Sequence, residues 1–531
     1  MPTVVPAQPI GELGEAWRSC VGTGRLNLAL RHDHLESLAM VQRDIGFRYL
    51  RGHGLLSDDM GIHRPYDGGV RHAFTHVDLV FDSWLALGIR PFLELGFMPS
   101  GLASGQETVF WWKGNVTPPN DEDEWVRLVQ ATLRHLVARY GIDEVRTWPI
   151  EVWNEPNLTN FWKDADQAAY LRLYEITSRA VKEVDSDLQV GGPAISPGSD
   201  DWWEPFAEFV TARDLPVDFV SRHAYSSGPG QPVPFGRYQT QQPPSSLLEQ
   251  FDSPRRHLAG TRLAGLPVHI TEFNTSYRPD NPIHDTPYNA AYLAPVLAAG
   301  GDLVDSFSYW TFCDVFEEEN IPTSLFHGGF GLLTHRQLPK PTYHLYSFMA
   351  RLGNEVLARG DDHLVTRHPD GRLAILAWQP VDGAGPGAER NTVELSLPFE
   401  AATASPHPRE TGKGSRTEVR AAASLEGQGV TTVYAHRRRV SESDGNAWDA
   451  WRQLGRPHHP GERTLELLRE AARPSLERST HELHDGRVRL TLHLSRHEAT
   501  LVELEAVADE TEPWIDDSRI PGYGPHKEQN R

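Results

Sequence analysis

TWPIEVWNE, residues 147–155, and LPVHITEFN, residues 266–274, are short β-rich runs that each deliver a glutamate within their last three positions. The pattern around them decides the fold. From about residue 45 to 345 such runs alternate with longer stretches of helical periodicity, as a parallel sheet with crossover helices requires. The other runs are GFRYLRGH (46–53), GIRPFLELGF (88–97), DLQVGGPAI (187–195), VDFVSRHAY (217–225) and SFSYWTF (306–312), with VGTGRLNLAL (21–30) as a weaker eighth. Between them, residues 121–141 and 166–184 repeat apolar side chains at three and four, the spacing of one helical face. Eight such units predict closure into a (β/α)8 TIM barrel, an α/β fold. A doubly wound open sheet competes, but its Gly-rich phosphate turn after an early strand is missing.

Beyond residue 345 the pattern changes to alternating strands: 371–381, 391–399, 431–438, 487–495 and 499–507, divided by polar Gly and Pro segments. This predicts an accessory β-sandwich. Residues 445–455 and 462–474 interrupt it with helical periodicity, as an insertion. The expected division is a catalytic barrel at 15–345, a sandwich at 346–510 that residues 1–14 can join, and a polar tail at 511–531.

Composition narrows the chemistry. The chain has 531 residues, more than one core usually organises, with 39% hydrophobic and 23% charged residues. A formal charge of -21 opposes nucleic acid or an anionic membrane as partner, since both select concentrated positive charge. Without a basic leader or an apolar run of about 18 residues, a cytoplasmic location is the expectation. Cys20 and Cys313 alone make no disulfide framework and read as reduced thiols. Among 25 histidines there is no H-E-x-x-H, and His458-His459 sits between prolines, so no metal is expected.

In a barrel, the C-terminal strand ends face the active site. Here they carry Arg51-Gly52-His53, Asn154-Glu155-Pro156, His223-Ala224-Tyr225, Glu272-Phe273-Asn274 and Trp310-Thr311-Phe312. Carboxylates, histidines, asparagine and an aromatic face are the equipment for cleaving a sugar acetal. That chemistry needs one carboxylic acid and one carboxylate, about 5–5.5 Å apart in a retaining enzyme. Glu155 and Glu272, at the ends of the fourth and seventh strands, meet the requirement. On a regular strand Asn154 and Glu155 point to opposite faces, so both serve the site only if the strand breaks at Pro156. The period of two places His223 and Tyr225 on one face and turns Arg222 away.

RGHGLLSDDMGI (51–62), FWWKGNVTPP (110–119), WNEPNLTNFW (153–162), SRHAYS (221–226), ITEFNTSY (270–277) and FHGGFGLL (326–333) together resemble glycoside hydrolase family 39 of clan A, in particular its β-xylosidases. The similarity runs over roughly residues 10–510. It implies retention, no metal or organic cofactor, and removal of single xylose units from short xylo-oligosaccharides. Glu155 is then the acid/base and Glu272 the nucleophile. Asn154 bonds the sugar 2-hydroxyl, Tyr225 holds Glu272, and His223 sits beside the acid/base or the sugar. His53 follows the same logic. Glu317 and Glu318, which on composition alone belong to a solvated acidic turn, approach the glycone hydroxyls, and Trp310 is the platform beneath the sugar. Trp111 and Trp112 wall the site.

The partner expected is a small carbohydrate, with a homo-oligomer such as a tetramer allowed by the resemblance. Two alternatives stand beside the xylosidase. One is an exo-glycosidase for an arabinoside, galactoside or uronide. A uronide needs a cation aimed at its carboxylate, for which Arg51 is the strand-end candidate. The other is a carbohydrate-binding barrel without catalysis, against which both carboxylates argue.

Overall fold

The computed structural model of the chain describes residues 2–234, 236–381, 391–399, 432–507 and 520–521. Eight parallel strands close a barrel: β1 (Cys20–Arg25), β2 (Tyr49–His53), β3 (Arg90–Glu94), β4 (Pro149–Glu151), β5 (Gln189–Ile195), β6 (Phe219–Tyr225), β7 (Val268–Asn274) and β8 (Ser306–Tyr309). Every strand pairs with its sequence neighbour, and β8 closes onto β1 through Tyr309 and Val21. The weak eighth run is β1, shorter than its sequence pattern because Leu26–Leu30 turns into a 3-10 helix.

Inward side chains fill the lower barrel rather than leaving a pore. Cys20, Phe92 and Phe219 pack together there, with Tyr49 against them. Above this plug the inward positions become charged: Arg51 on β2, Glu94 on β3, Glu151 on β4 and Glu272 on β7 are all buried. The switch from apolar plug to buried ions marks the floor of the site.

The strands after the barrel form two sheets. Seven strands order as Gly11–Glu12, Glu355–Arg359, His363–Arg367, Leu373–Gln379, Glu498–Ala506, Thr432–Val440 and Ser475–Glu482. A three-stranded sheet joins Thr3–Val4, Asn391–Pro398 and Arg487–Leu494. Leu357, Ile375 and Leu504 of the first sheet share one buried cluster with Leu395, Leu490 and Leu492 of the second, which makes the pair a sandwich. The N-terminal segment enters both sheets, since Thr3 pairs with Leu395 and Glu12 with Glu355.

Three strands, at 355–359, 363–367 and 475–482, lack a clean alternation and escape the sequence pattern. Helices at Ala447–Gln453 and Glu462–Ala471 lie where the helical insertion was expected. Their Trp451, Leu465 and Leu468 pack on Leu325, Phe326 and Leu338 of the segment following β8. The expected polar tail lies outside the described residues apart from Ile520 and Pro521.

Candidate active site

β4 stops at Glu151, before the expected break at Pro156. Trp153 and Glu155 then take positive φ values of 71° and 43°, a region that costs non-glycine residues energy. The two kinks bring Asn154 and Glu155 into one cavity instead of onto opposite faces. Packing holds them there. The Trp153 indole is fully buried and donates to the Phe161 carbonyl at 2.8 Å, and the Glu155 N–H donates to the Ala194 carbonyl at 3.0 Å.

Glu272 reaches the site by a different device. Arg222 pairs with Ile270, but the next pair is His223 with Glu272, so β7 carries one extra residue, Thr271. Such a bulge re-aims a side chain. Thr271 can donate into the barrel, to Glu151 at 2.9 Å, while Glu272 also faces inward. Tyr225 Oη donates to Glu272 Oε2 at 2.8 Å, and Arg51 Nη1 donates to its Oε1 at 2.8 Å.

One carboxylate oxygen of Glu155, one of Glu272 and a ring nitrogen of His223 lie within 4.8 Å of one another. This is the close spacing of a retaining pair, not the about 6.5–9.5 Å that leaves room for water in an inverting one. His223 Nδ1 is 2.9 Å from Glu155 Oε1 and 3.4 Å from Glu272 Oε2. The three groups could geometrically close on a cation, but Glu272 already has a cation, Arg51, as its partner.

The electrostatics separate the two carboxyls. Burial, then repulsion from Glu272, holds Glu155 well above the usual carboxylate range. Burial also raises Glu272, but Arg51, His53 and the Tyr225 hydroxyl oppose that rise. Glu272 therefore ionises first and Glu155 keeps its proton. His223 is pushed far below its ordinary value by burial and by Arg51, and is neutral. Burial and Glu272 push Tyr225 up, so it remains a hydroxyl donor.

Arg51 is the centre of this network and fully buried. It contacts Glu151 at 2.7 Å, Glu94 at 2.9 Å, Asn154 Oδ1 at 2.9 Å and Glu272. Burial disfavours its charge, yet Glu151, Glu94 and Glu272 outweigh that and hold it above its ordinary value. This corrects the expectation that Arg51 could meet a uronide, because its guanidinium is spent on the protein's own carboxylates. Arg222 points outward, to Asp200 at 2.6 Å.

A cavity of about 490 Å³ opens above the network, lined by His53, Asn154, Glu155, Tyr225, Glu272, Trp310 and Glu318 among others. His223 stands behind Glu155, fully buried. Glu318 is nearly buried, and burial together with Glu272 and Glu155 raises it well above the usual range, which makes it a neutral hydrogen-bond donor. Glu317 is a correction: its carboxylate turns from the cavity to Arg25 at 3.0 Å and Arg31 at 2.8 Å, because those guanidiniums neutralise it. Trp111 is 45% exposed, and neither it nor Trp112 lines the cavity; Phe110 does.

Sequence reasoning missed Phe161, Phe330, Arg278 and Glu319, which line the cavity from loops with no strand register to read. It also missed Glu94, which lies inside the run 88–97 but ends β3 in the structure and lies 2.7 Å from His53 Nδ1. Glu94 is held below its ordinary range, because His53 and Arg51 outweigh its burial. Among the described residues no helix is long and apolar enough to cross a membrane.

The family model for glycosyl hydrolases family 39 matches residues 3–489. A beta-xylosidase of Geobacillus stearothermophilus is 47% identical over 528 residues, covering 98% of this chain and 99% of that one. A beta-xylosidase of Caldicellulosiruptor saccharolyticus is 38% identical over 359 residues, 66% of this chain and 72% of its own. The solved structure of a monomeric beta-xylosidase from Caulobacter crescentus CB15 has a TM-score of 0.82 at 31% identity, covering 95% of this chain and 100% of that one.

Proposed function

The chain belongs to glycosyl hydrolases family 39, and from that premise we propose a retaining exo-β-xylosidase in which Glu272 is the nucleophile and Glu155 the acid/base. The observation that carries this reading is the close approach of Glu155, Glu272 and His223, with Arg51 and Tyr225 both donating to Glu272.

In the first step a Glu272 oxygen attacks the anomeric carbon as the glycosidic C–O bond breaks, and the Glu155 proton goes to the departing oxygen. A glycosyl ester on Glu272 results. Esterified Glu272 carries no charge, so the repulsion that kept Glu155 protonated is gone. Glu155, now a carboxylate, takes a proton from water, whose oxygen attacks the same carbon and frees Glu272. Two inversions return the β-anomer.

The surrounding residues suit this course. Asn154 spends its carbonyl on Arg51, which leaves its NH2 as the donor for a sugar 2-hydroxyl. His53, Trp310 and Glu318 line the same cavity. Trp310 offers an apolar face to the sugar ring, and Arg51 lies 5.9 Å from its ring centroid. Arg278, which also lines the cavity, is tied to Asp280 and Glu319, so neither arginine offers free charge to a uronide. A neutral pentoside fits a pocket surrounded by carboxyl groups better than an anionic sugar.

Hydrolysis of an aryl β-xyloside, followed by proton NMR of the first-formed xylose, tests the reading. The β-anomer supports it, and the α-anomer or no turnover overturns it. The tetramer implied by resemblance is a separate proposal, tested by light scattering; a mass near four chains supports it and the mass of one chain overturns it.

A further inference from the structure

Glu317, Glu318 and Glu319 follow β8, and each is held by a different barrel loop. The Glu317 carboxylate is gripped by Arg25 at the end of β1 and by Arg31 just beyond the 3-10 turn. The Glu318 carbonyl accepts the Trp111 N–H, from the loop after β3, at 3.0 Å. The Glu319 carboxylate takes two hydrogen bonds from Arg278, beyond β7, at 2.5 and 2.9 Å. Arg278 is itself fixed by Asp280, with both contacts at 3.1 Å.

The segment is thus a strap stitched on both sides, and the middle side chain is the one that enters the cavity. Glu318 Oε1 is buried without a hydrogen-bond partner, and His53 Nε2 is 3.5 Å away. A buried polar atom left unpaired costs energy until something bonds it. Glu318 shares the cavity with His53 and Trp310, and His53 Nε2 is also 3.6 Å from Glu272 Oε1, so the strap borders the space beside the reacting pair.

We propose that the Arg278–Glu319 pair is a positioning clasp that, through the Glu317–Glu319 strap, holds Glu318 in place against the sugar bound in the cavity. This rests on the hydrolase reading above. Glu317 is 8% exposed in its side chain and Arg25 13%, so breaking that side endangers the fold. Arg278 and Glu319 are 20% and 50% exposed, and can be changed with less risk.

The experiment uses the full chain and an aryl β-xyloside, whose only sugar is the terminal one. Glu319→Gln, Arg278→Met and the double variant are compared with the unaltered protein. Exposed pairs contribute up to about 1 kcal/mol, a factor of about five in binding, and the bidentate geometry puts this clasp near that end. KM is expected to rise roughly fivefold in each single variant with kcat within about twofold, because positioning acts on bound substrate and transition state alike. The double variant is expected to be no worse than either single one. Salt at about 1 M, which screens exposed charge, should raise KM of the unaltered protein and leave the variants unmoved.

A purely structural role would lower Tm and the active fraction without this salt-sensitive KM. KM unchanged in both single variants, or effects that add in the double one, would overturn the clasp. Arg278→Lys is the second arm if Arg278→Met fails to fold; retained charge should recover part of the KM, and no recovery counts against the proposal. An unaltered protein that leaves the β-xyloside intact would remove the hydrolase reading itself, an outcome distinct from all of these.

Discussion

Replacing Glu155 by alanine removes the acid of one half-reaction and the base of the other, and the structure makes the consequences different for different leaving groups. Glu155 is 7% exposed, and its proton is kept by burial and by Glu272. A positioned acid of this kind contributes about a hundredfold to ten-thousandfold, or about 2.7–5.4 kcal/mol of barrier. An alkyl xyloside or xylobiose, whose oxygen needs the proton, should lose that full factor. A nitrophenyl xyloside, whose phenolate departs unaided, should form the Glu272 ester nearly as fast as before. Its slow step then becomes attack by water, which has lost its base. Azide needs no base, and the truncated side chain leaves it room beside the anomeric carbon.

Added azide should therefore restore the rate on the nitrophenyl substrate and yield a β-xylosyl azide. The assay is steady-state release of nitrophenol and of free xylose, with NMR identification of the azide product. Equal losses on good and poor leaving groups, with no azide product, would refute the role of Glu155 and direct attention to Glu318, the other protonated carboxyl of the cavity.

The remaining predictions concern the groups around the pair. In kcat/KM the acid limb reflects protonation of Glu272 and the alkaline limb loss of the Glu155 proton, so the alkaline limb should lie well above the ordinary carboxylate range; an NMR titration of Glu272→Gln should find the Glu155 pKa lowered, because the repelling charge is gone. Tyr225→Phe deletes the 2.8 Å donor to Glu272 and should cut kcat by roughly tenfold while costing about 1 kcal/mol of stability, as read by kinetics and denaturant melts; unchanged kcat would make Tyr225 packing only. Arg51→Met leaves Glu94, Glu151 and Glu272 without their shared cation, and calorimetry should show about 3–5 kcal/mol of lost stability together with lost turnover. Aryl β-glucuronides and iduronides should remain intact, since Arg51 and Arg278 are both occupied; their hydrolysis at rates near the xyloside would contradict that assignment.

Period-two patterns and strand ends were enough to read the barrel, to put His223 and Tyr225 on one face and to bring the segments carrying Glu155 and Glu272 to the same end, because strand geometry is local. What strand geometry does not encode was less legible. The left-handed turns at Trp153 and Glu155 depend on aromatic packing from distant chain, and the bulge at Thr271 appears only when β6 and β7 are paired. Glu317 shows the same limit. Its neighbours in sequence place it beside Glu318, but its direction is decided by Arg25 and Arg31, 292 and 286 positions away. Arg51 looked like a cation available at a strand end, and only the assembled barrel shows that three carboxylates already share it.

The covalent step tests the central claim most directly. A 2-deoxy-2-fluoro-β-xyloside with a good leaving group destabilises the oxocarbenium-like transition states, and the second step, without an activated leaving group, slows enough for the ester to accumulate. Mass spectrometry of the treated, digested protein should find one fluoroxylosyl group per chain, on the peptide containing Glu272. An adduct on another residue, or none despite steady turnover of the unfluorinated xyloside, would contradict the assignment of Glu272 as nucleophile.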